Sequence, residues 1–132
     1  MTDPRRLLSG RFIWHDLAAA DPAAALDFYG AVFGWTAALQ RANGGSFVRL
    51  QSGGHDVGSM YALSRQEREH GVPSHWTPYL RVDRVRETVR RVEDARGTVL
   101  VQPFEVDGIA RIALIADPDG AVFGLMEAHP HE

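Results

Sequence analysis

The sequence predicts an α+β protein made of two tandem β-α-β-β-β modules, their strands forming a curved mixed sheet around a trough. Three observations carry this expectation. "RFIWHDL" (11–17) and "HWTPYLRV" (75–82) are both short, Trp-containing stretches rich in strand formers. Each runs into an aspartate, Asp21 and Asp83, 62 residues apart, that can cap a following amphipathic helix ending near a glycine. After each helix come three further strand-like stretches separated by turn signals.

In the first module, Asp21 is the expected N-cap and Pro22 takes the first helical position, where its missing N–H is no loss. Leu26, Tyr29 and Phe33 fall on one stripe before Gly34, so "DFYGAVFGW" reads as an aromatic peg that fixes the helix to its sheet. The strands that follow are "GWTAALQ", "SFVRLQS" and "DVGSMYAL", divided by "ANGG" and "GGH". In the second module, Asp83 is the expected cap, and Val85, Val89 and Val92 form the stripe before Gly97. The strands "TVLVQPFEV", "ARIALIA" and "AVFGLMEA" follow, divided by "DG" and "DPDG". Between the modules, "SRQEREHGVPS" is polar and ends near Gly71 and Pro73, a loop with one helical turn. The expected organisation is one domain over 1–132: module one about 10–63, linker 64–74, module two about 75–128.

Composition narrows the chemistry. Of 132 residues 45% are hydrophobic and 23% charged, the balance of an ordinary globular domain. A formal charge of -3 gives no basic face for nucleic acid. There is no Cys, so thiol nucleophiles, thiolate metal sites and disulfides are excluded, and with every basic residue an Arg there is no lysine base or Schiff base. "MTDPRRLLSG", with Arg5 and Arg6, has no apolar run of signal-peptide length, and no later segment has the length to span a bilayer. A cytoplasmic protein with neither nucleic-acid nor membrane partners is expected.

A β-α-β-β-β unit covers one sheet face with its helix and leaves the other open, so two units enclose a trough suited to a ligand. Alternation along the strands places Phe12, Trp14 and Asp16, then Phe47, Arg49 and Gln51, on the trough side. Thr77, Tyr79 and Arg81 follow on the fifth strand, and Arg111 and Ala113 on the seventh. The expected pocket has walls of Trp14, Phe47, Met60 and Tyr79, with Asp16, Arg49 and Arg111 as polar fixtures. It suits an aromatic molecule bearing an anionic or hydroxyl group. His75 and Tyr79 are the candidate acid-base couple, because imidazole titrates near neutrality and a phenol can donate a proton. "SGGHD" lacks both a following helix and a Lys, and is a hairpin turn and not a phosphate loop. The Arg and Glu residues of "RVRETVRRVED" surround its Val stripe as a solvated helix face.

"FIWHDLAAADPAAALDFYGAVFGW" together with "GTVLVQPFEVDGIARIALIADPDGAVFGLMEA" resembles the vicinal oxygen chelate superfamily, which includes glyoxalase I, bleomycin-resistance proteins and extradiol dioxygenases. The resemblance runs from about Gly10 to Ala128, and its motifs, D-x6-FY-x3-FGW and ADPDGAVFGL, are specific in combination. It implies four inward positions that hold a metal ion in metal-using members. Carried over one at a time, they fall on Trp14, on Gly58 or Met60, on Thr77 and on Gly124. None of these offers the imidazole or carboxylate that a divalent cation needs. The expected function is therefore to bind a small aromatic or polyketide-like molecule in a metal-free hydrophobic trough, without a cofactor. Its purpose would be sequestration, resistance or metal-independent biosynthetic chemistry.

The alternative is a metal-dependent lyase or dioxygenase with ligands shifted to His15, His75 and Glu127. Against it, His15 and Glu127 share the strand parity of Ile13, Leu17, Phe123 and Leu125, the face expected to lie under the helices. A third alternative is a catalytically silent partner subunit whose trough is packed by its own side chains. The resemblance also implies a homodimer, with modules paired within a chain or exchanged between chains.

Overall fold

The computed structural model describes residues 9–128; Arg5 and Arg6, and the tail histidines His129 and His131, lie outside them. The elements are β1 (Phe12–Ala19), α1 (Pro22–Phe33), β2 (Thr36–Ala42), β3 (Gly45–Ser52), β4 (His55–Ala62), α2 (Arg65–Glu69), β5 (His75–Arg81), α3 (Val85–Asp94), β6 (Thr98–Val106), β7 (Ala110–Ala116) and β8 (Val122–Ala128). The α+β class and both β-α-β-β-β modules are present as predicted.

The described residues divide into two compact units, 14–77 in one and 9–13 with 78–128 in the other. The division runs inside β1 and β5 because the start of β1 belongs with the end of β5. There the Arg81 N–H donates to the Arg11 carbonyl at 2.8 Å and the Gly10 N–H donates to the Arg81 carbonyl at 2.7 Å.

In the first unit the strand order is β2-β3-β4-β1, with β2, β3 and β4 antiparallel and β4 parallel to β1. Asn43 and Gly44, both at positive φ, make the two-residue turn between Ala42 and Gly45. Left-handed backbone at both turn positions matches the twist of the strands, which is why Asn-Gly stands there. Asp21 caps α1 by accepting the Ala24 N–H at 3.1 Å, Pro22 opens the helix, and Gly34 ends it in the left-handed region. The core under α1 is Leu17, Ala19, Leu50 and Met60, with Ala25, Leu26, Tyr29, Trp35, Val48 and Val57 packed around it.

The aromatic ending of α1 divides in two. Tyr29 stacks on Trp35 with ring centroids 5.1 Å apart, and the Trp76 indole N–H donates to the Tyr29 hydroxyl at 3.1 Å. Phe28 and Phe33, predicted to share the peg, are instead 56% and 57% exposed. Tyr29 and Trp35 thus form the half-buried part of the peg, and Phe28 and Phe33 lie against them at its exposed edge, with Phe28 edge-on to Tyr29 at 5.1 Å and Phe33 5.7 Å from Trp35. The linker turn is α2, closed by a capping box in which Ser64 accepts the Glu67 N–H and Glu67 accepts the Ser64 N–H, each at 3.0 Å.

In the second unit the order is β5-β8-β7-β6, again with one parallel pair, β5 with β8, and the rest antiparallel. Its core is Val82, Val85, Val89, Ala113, Ile115 and Leu125. Asp83 is not the cap of α3. The N-cap is Arg84, which makes no side-chain capping bond, and the Val85 N–H instead donates to the Glu127 carboxylate at 2.7 Å. A β8 side chain thus does the work assigned to a residue beside the helix. The helix stops at Asp94, with Arg96 at positive φ. Gly97 is needed for space, since a Cβ there would lie 2.7 Å from Val92 Cγ1 and 2.9 Å from the Ala116 carbonyl oxygen.

Candidate functional site

The side of the first sheet turned away from α1 carries a polar row. Cross-strand register puts Asp16 of β1 beside Ser59 of β4, Ser59 beside Arg49 of β3, and Arg49 beside Ala38 of β2. The neighbouring row, Leu17, Met60 and Val48, faces α1. Period-two alternation makes the two rows opposite in direction, so the first is on the open side.

Two hydrogen bonds tie this row together. The Trp14 indole N–H donates to Ser59 Oγ at 2.8 Å, and the Ser59 hydroxyl donates to Asp16 Oδ1 at 2.8 Å. An indole has one donor and no acceptor, so Trp14 fixes the direction of the chain, and the serine proton must point at the carboxylate. Burial pushes the Asp16 carboxyl up from 3.8 to about 6, opposed by the Ser59 hydrogen bond and the nearby His75 charge. Tyr61 lies on the same side of β4, two residues beyond Ser59. Its phenol is pushed up by burial and by the negative charges of Asp16 and Glu67.

Arg49 lies across Ser59 from this chain. Its Nε is 3.6 Å from Asp56 Oδ1, an oxygen that already accepts the Gln51 amide at 3.1 Å. That leaves Arg49 Nε buried and without a hydrogen bond. A buried guanidinium N–H lacking an acceptor is costly, and a ligand oxygen would relieve it. Phe47 is half-buried two residues before Arg49, on the same side by alternation.

Other predicted site residues lie elsewhere. Met60, expected as a trough wall, is 1% exposed in the α1 core, because its β1 partner is Leu17. Ser59 occupies the open-side place in β4. Arg111 and Ala113 are on the α3 side of β7, since Ala113 and Ile115 form the α3 core. The Arg111 guanidinium bonds Glu105 at 2.6 Å and reaches Glu127 at 3.5 Å. It braces the carboxylate that caps α3 and is not a trough fixture. His75 is exposed, and its Nδ1 donates to the Pro73 carbonyl at 2.8 Å, leaving Nε2 as the acceptor in the neutral ring. Thr77 is half-buried on β5.

Tyr79 is buried, with its ring laid over Gly124: a Cβ on Gly124 would collide with the ring, lying 2.8 Å even from Cγ. Arg81 has a buried Nε without a hydrogen bond. Sequence reasoning missed Ser59 and Tyr61. Both share the parity of Asp16 through the β1–β4 register, which no local pattern displays.

The donor set does not fit a divalent cation. The inherited positions hold an indole N–H at Trp14, a hydroxyl at Thr77 and bare backbone under a tyrosine ring at Gly124, while the open-side residue of β4 is a serine. The shifted set fares no better. His15 is exposed and Glu127 is committed to Val85 and Arg111. Among the described residues, His, Cys, Asp and Glu form no group of three or more that could hold an ion.

The Glyoxalase/Bleomycin resistance protein/Dioxygenase superfamily model matches residues 11–125. Anthracycline biosynthesis protein DnrV of Streptomyces peucetius is 35% identical over 131 residues, a match covering 91% of this chain and 48% of that protein. Anthracycline biosynthesis protein DauV of Streptomyces sp. (strain C5) is 34% identical with the same coverage. This chain thus spans about half the length of these relatives. Methylmalonyl-CoA epimerase from Mycobacterium tuberculosis shares the fold, with a TM-score of 0.67 and 16% identity over 99% of this chain and 95% of that one. On the strength of the family match and of these relatives, the chain belongs to the Glyoxalase/Bleomycin resistance protein/Dioxygenase superfamily.

Proposed function

We propose that this protein binds a small planar aromatic or polyketide-like molecule on the open side of β1, β3 and β4, without a metal ion, for sequestration, resistance or metal-independent biosynthetic chemistry. The observation that carries the reading is the chain from the Trp14 indole through Ser59 to Asp16. With its N–H committed, Trp14 presents a fixed ring for stacking. Ser59 occupies Asp16 Oδ1 and leaves Oδ2 to accept a ligand hydroxyl, while Arg49 offers Nε to a ligand oxygen. Phe47 adds apolar surface beside Arg49. The two relatives named for anthracycline biosynthesis support a ligand of this class, since an anthracycline contains a planar polycyclic chromophore bearing hydroxyl and carbonyl groups.

The proposal includes a cytoplasmic homodimer. The composition is that of a water-soluble globular domain, and no helix among the described residues is long and apolar enough to cross a membrane.

Alizarin, a planar hydroxylated anthraquinone, is the probe that tests this reading, followed by tryptophan quenching and thermal shift before and after dialysis against EDTA. Saturable binding that raises Tm and is unchanged by EDTA is expected. Trp14→Ala and Asp16→Asn should each weaken it by about tenfold or more, equivalent to about 1.4 kcal/mol. Binding that appears only on adding Mn, Fe, Ni or Zn would overturn the reading, as would binding indifferent to both substitutions.

A further inference from the structure

In the second sheet, Leu80, Leu125 and Ala113 are cross-strand neighbours that pack under α3. Residues one step along each strand therefore point to the other side, away from the helix. One such row is Arg81, Met126, Ile112 and Phe104, crossing β5, β8, β7 and β6 in turn. In the row beside it the Tyr79 ring covers Gly124, and Leu114 follows on β7. Away from their β5 end, both rows are apolar.

Arg81 is the exception. Its Nε is buried without a hydrogen bond, and among the described residues no carboxylate forms an ion pair with it. An N–H taken from water and given no acceptor is unfavourable, the more so when it belongs to a cation set beside hydrocarbon. The row is not sealed, however: Arg81, Met126 and Ile112 are half-buried and Phe104 is 41% exposed.

We infer that this row binds an elongated apolar monocarboxylate, its carboxylate on Arg81 and its hydrocarbon body across Met126, Ile112 and Phe104. The Nε and neighbouring Nη N–H groups of a guanidinium form an edge that matches the two oxygens of a carboxylate, so one anion supplies the missing acceptor. Covered in the free chain, that edge turns outward by a change of side-chain rotamer as the anion arrives. The two rows hold a single cation, which selects one negative charge over a phosphate or a dicarboxylate. Three strand spacings separate Arg81 from Phe104, roughly 14 Å, and this sets the length of the apolar body. Trp14, Ser59 and Asp16 belong to the other unit, so the inference goes beyond the planar-ligand reading and does not depend on it.

Calorimetric titration of the full chain at pH 7 with 2-naphthoate, and with its neutral analogue 2-naphthalenemethanol, tests the inference. The naphthoate should bind at least tenfold more tightly. Arg81→Met, which keeps the length of the side chain and removes its charge, should abolish that preference. Arg81→Lys should keep part of it, and Arg90→Met on α3 should leave it unchanged. Equal affinity for the two probes, no saturable binding of naphthoate, or a preference that survives Arg81→Met would overturn the inference.

Magnetic resonance of methyl-labelled methionines provides a second arm that needs no change at Arg81. Saturating naphthoate should shift the Met126 methyl signal and leave that of Met60, in the α1 core, where it was. Met126→Leu and Met60→Leu assign the two signals. A Met126 signal that stays in place at saturation would sink the proposal. Both arms omit alizarin and leave Trp14 and Asp16 intact, so failure here is distinct from failure of the alizarin experiment.

Discussion

The ring of Tyr79 lies directly over the backbone of Gly124, filling the space in which any side chain at that position would have to begin. Gly124 is the last of the four positions at which metal-using relatives are expected to supply a ligand. The glycine is therefore a requirement of packing, and restoring a ligand means evicting a buried ring. Gly124→Ala is expected to cost about 1–3 kcal/mol by overpacking, read from urea denaturation. Gly124→Glu should lose at least as much, and its Tm should not rise when Mn or Ni is added.

Glu127 accepts the Val85 N–H from across the sheet, so the cap of α3 can be tested separately from its sequence neighbours. Glu127→Ala should destabilise by about 1–2 kcal/mol, because an N-terminal helix donor loses its acceptor. Glu127→Gln keeps an acceptor oxygen and should lose less. Asp83→Ala is expected to stay within about 0.5 kcal/mol, whereas Asp21→Ala, which removes a true side-chain cap, should cost about 1 kcal/mol. Thermal and urea melts of the four variants rank them.

Asp16 makes stability depend on pH in the direction opposite to a salt-bridged carboxylate. The folded chain holds the proton more tightly than the unfolded one, with the carboxyl at about 6 against 3.8. Its contribution is thus most favourable below the unfolded value and is lost as pH rises through the folded one. At neutral pH the ionised group costs up to about 3 kcal/mol relative to acid. Asp16→Asn, which keeps an acceptor for Ser59, should raise Tm near pH 7.5 and give little gain near pH 4. A gain equal at both would show that burial does not strain the carboxylate.

Met60 is a core residue, and its substitution should separate stability from binding. Met60→Ala is expected to cost about 2–5 kcal/mol, and Met60→Leu under about 1.5 kcal/mol. With folded protein, neither should change alizarin affinity more than about twofold, whereas Trp14→Ala should. Denaturation curves paired with fluorescence titration check both halves.

What could be read in the chain itself was local. Asp21, Pro22 and Gly34 mark the ends of α1 because capping is settled within one helical turn, and Asn43-Gly44 marks a two-residue hairpin because few residue pairs accept its backbone. The repeat of that local grammar placed all eight strands and both module helices, and it put Trp14, Asp16 and Arg49 on one side of their sheet. It could not assign β4 and β7 to a face, because alternation is known only up to a shift of one residue until a strand has a partner. Pairing with β1 turns Met60 inward and brings Ser59 between Trp14 and Asp16. Packing of Ala113 and Ile115 against α3 takes Arg111 to the helix side. The Glu127 cap and the Tyr79–Gly124 contact arise in the same way, from groups 42 residues apart in one case and on paired strands in the other. Sequence alone determined where elements begin, end and repeat, since those are short-range backbone energies. Tertiary structure alone decided which side chains meet, since inter-strand register is a property of two strands and is written in neither.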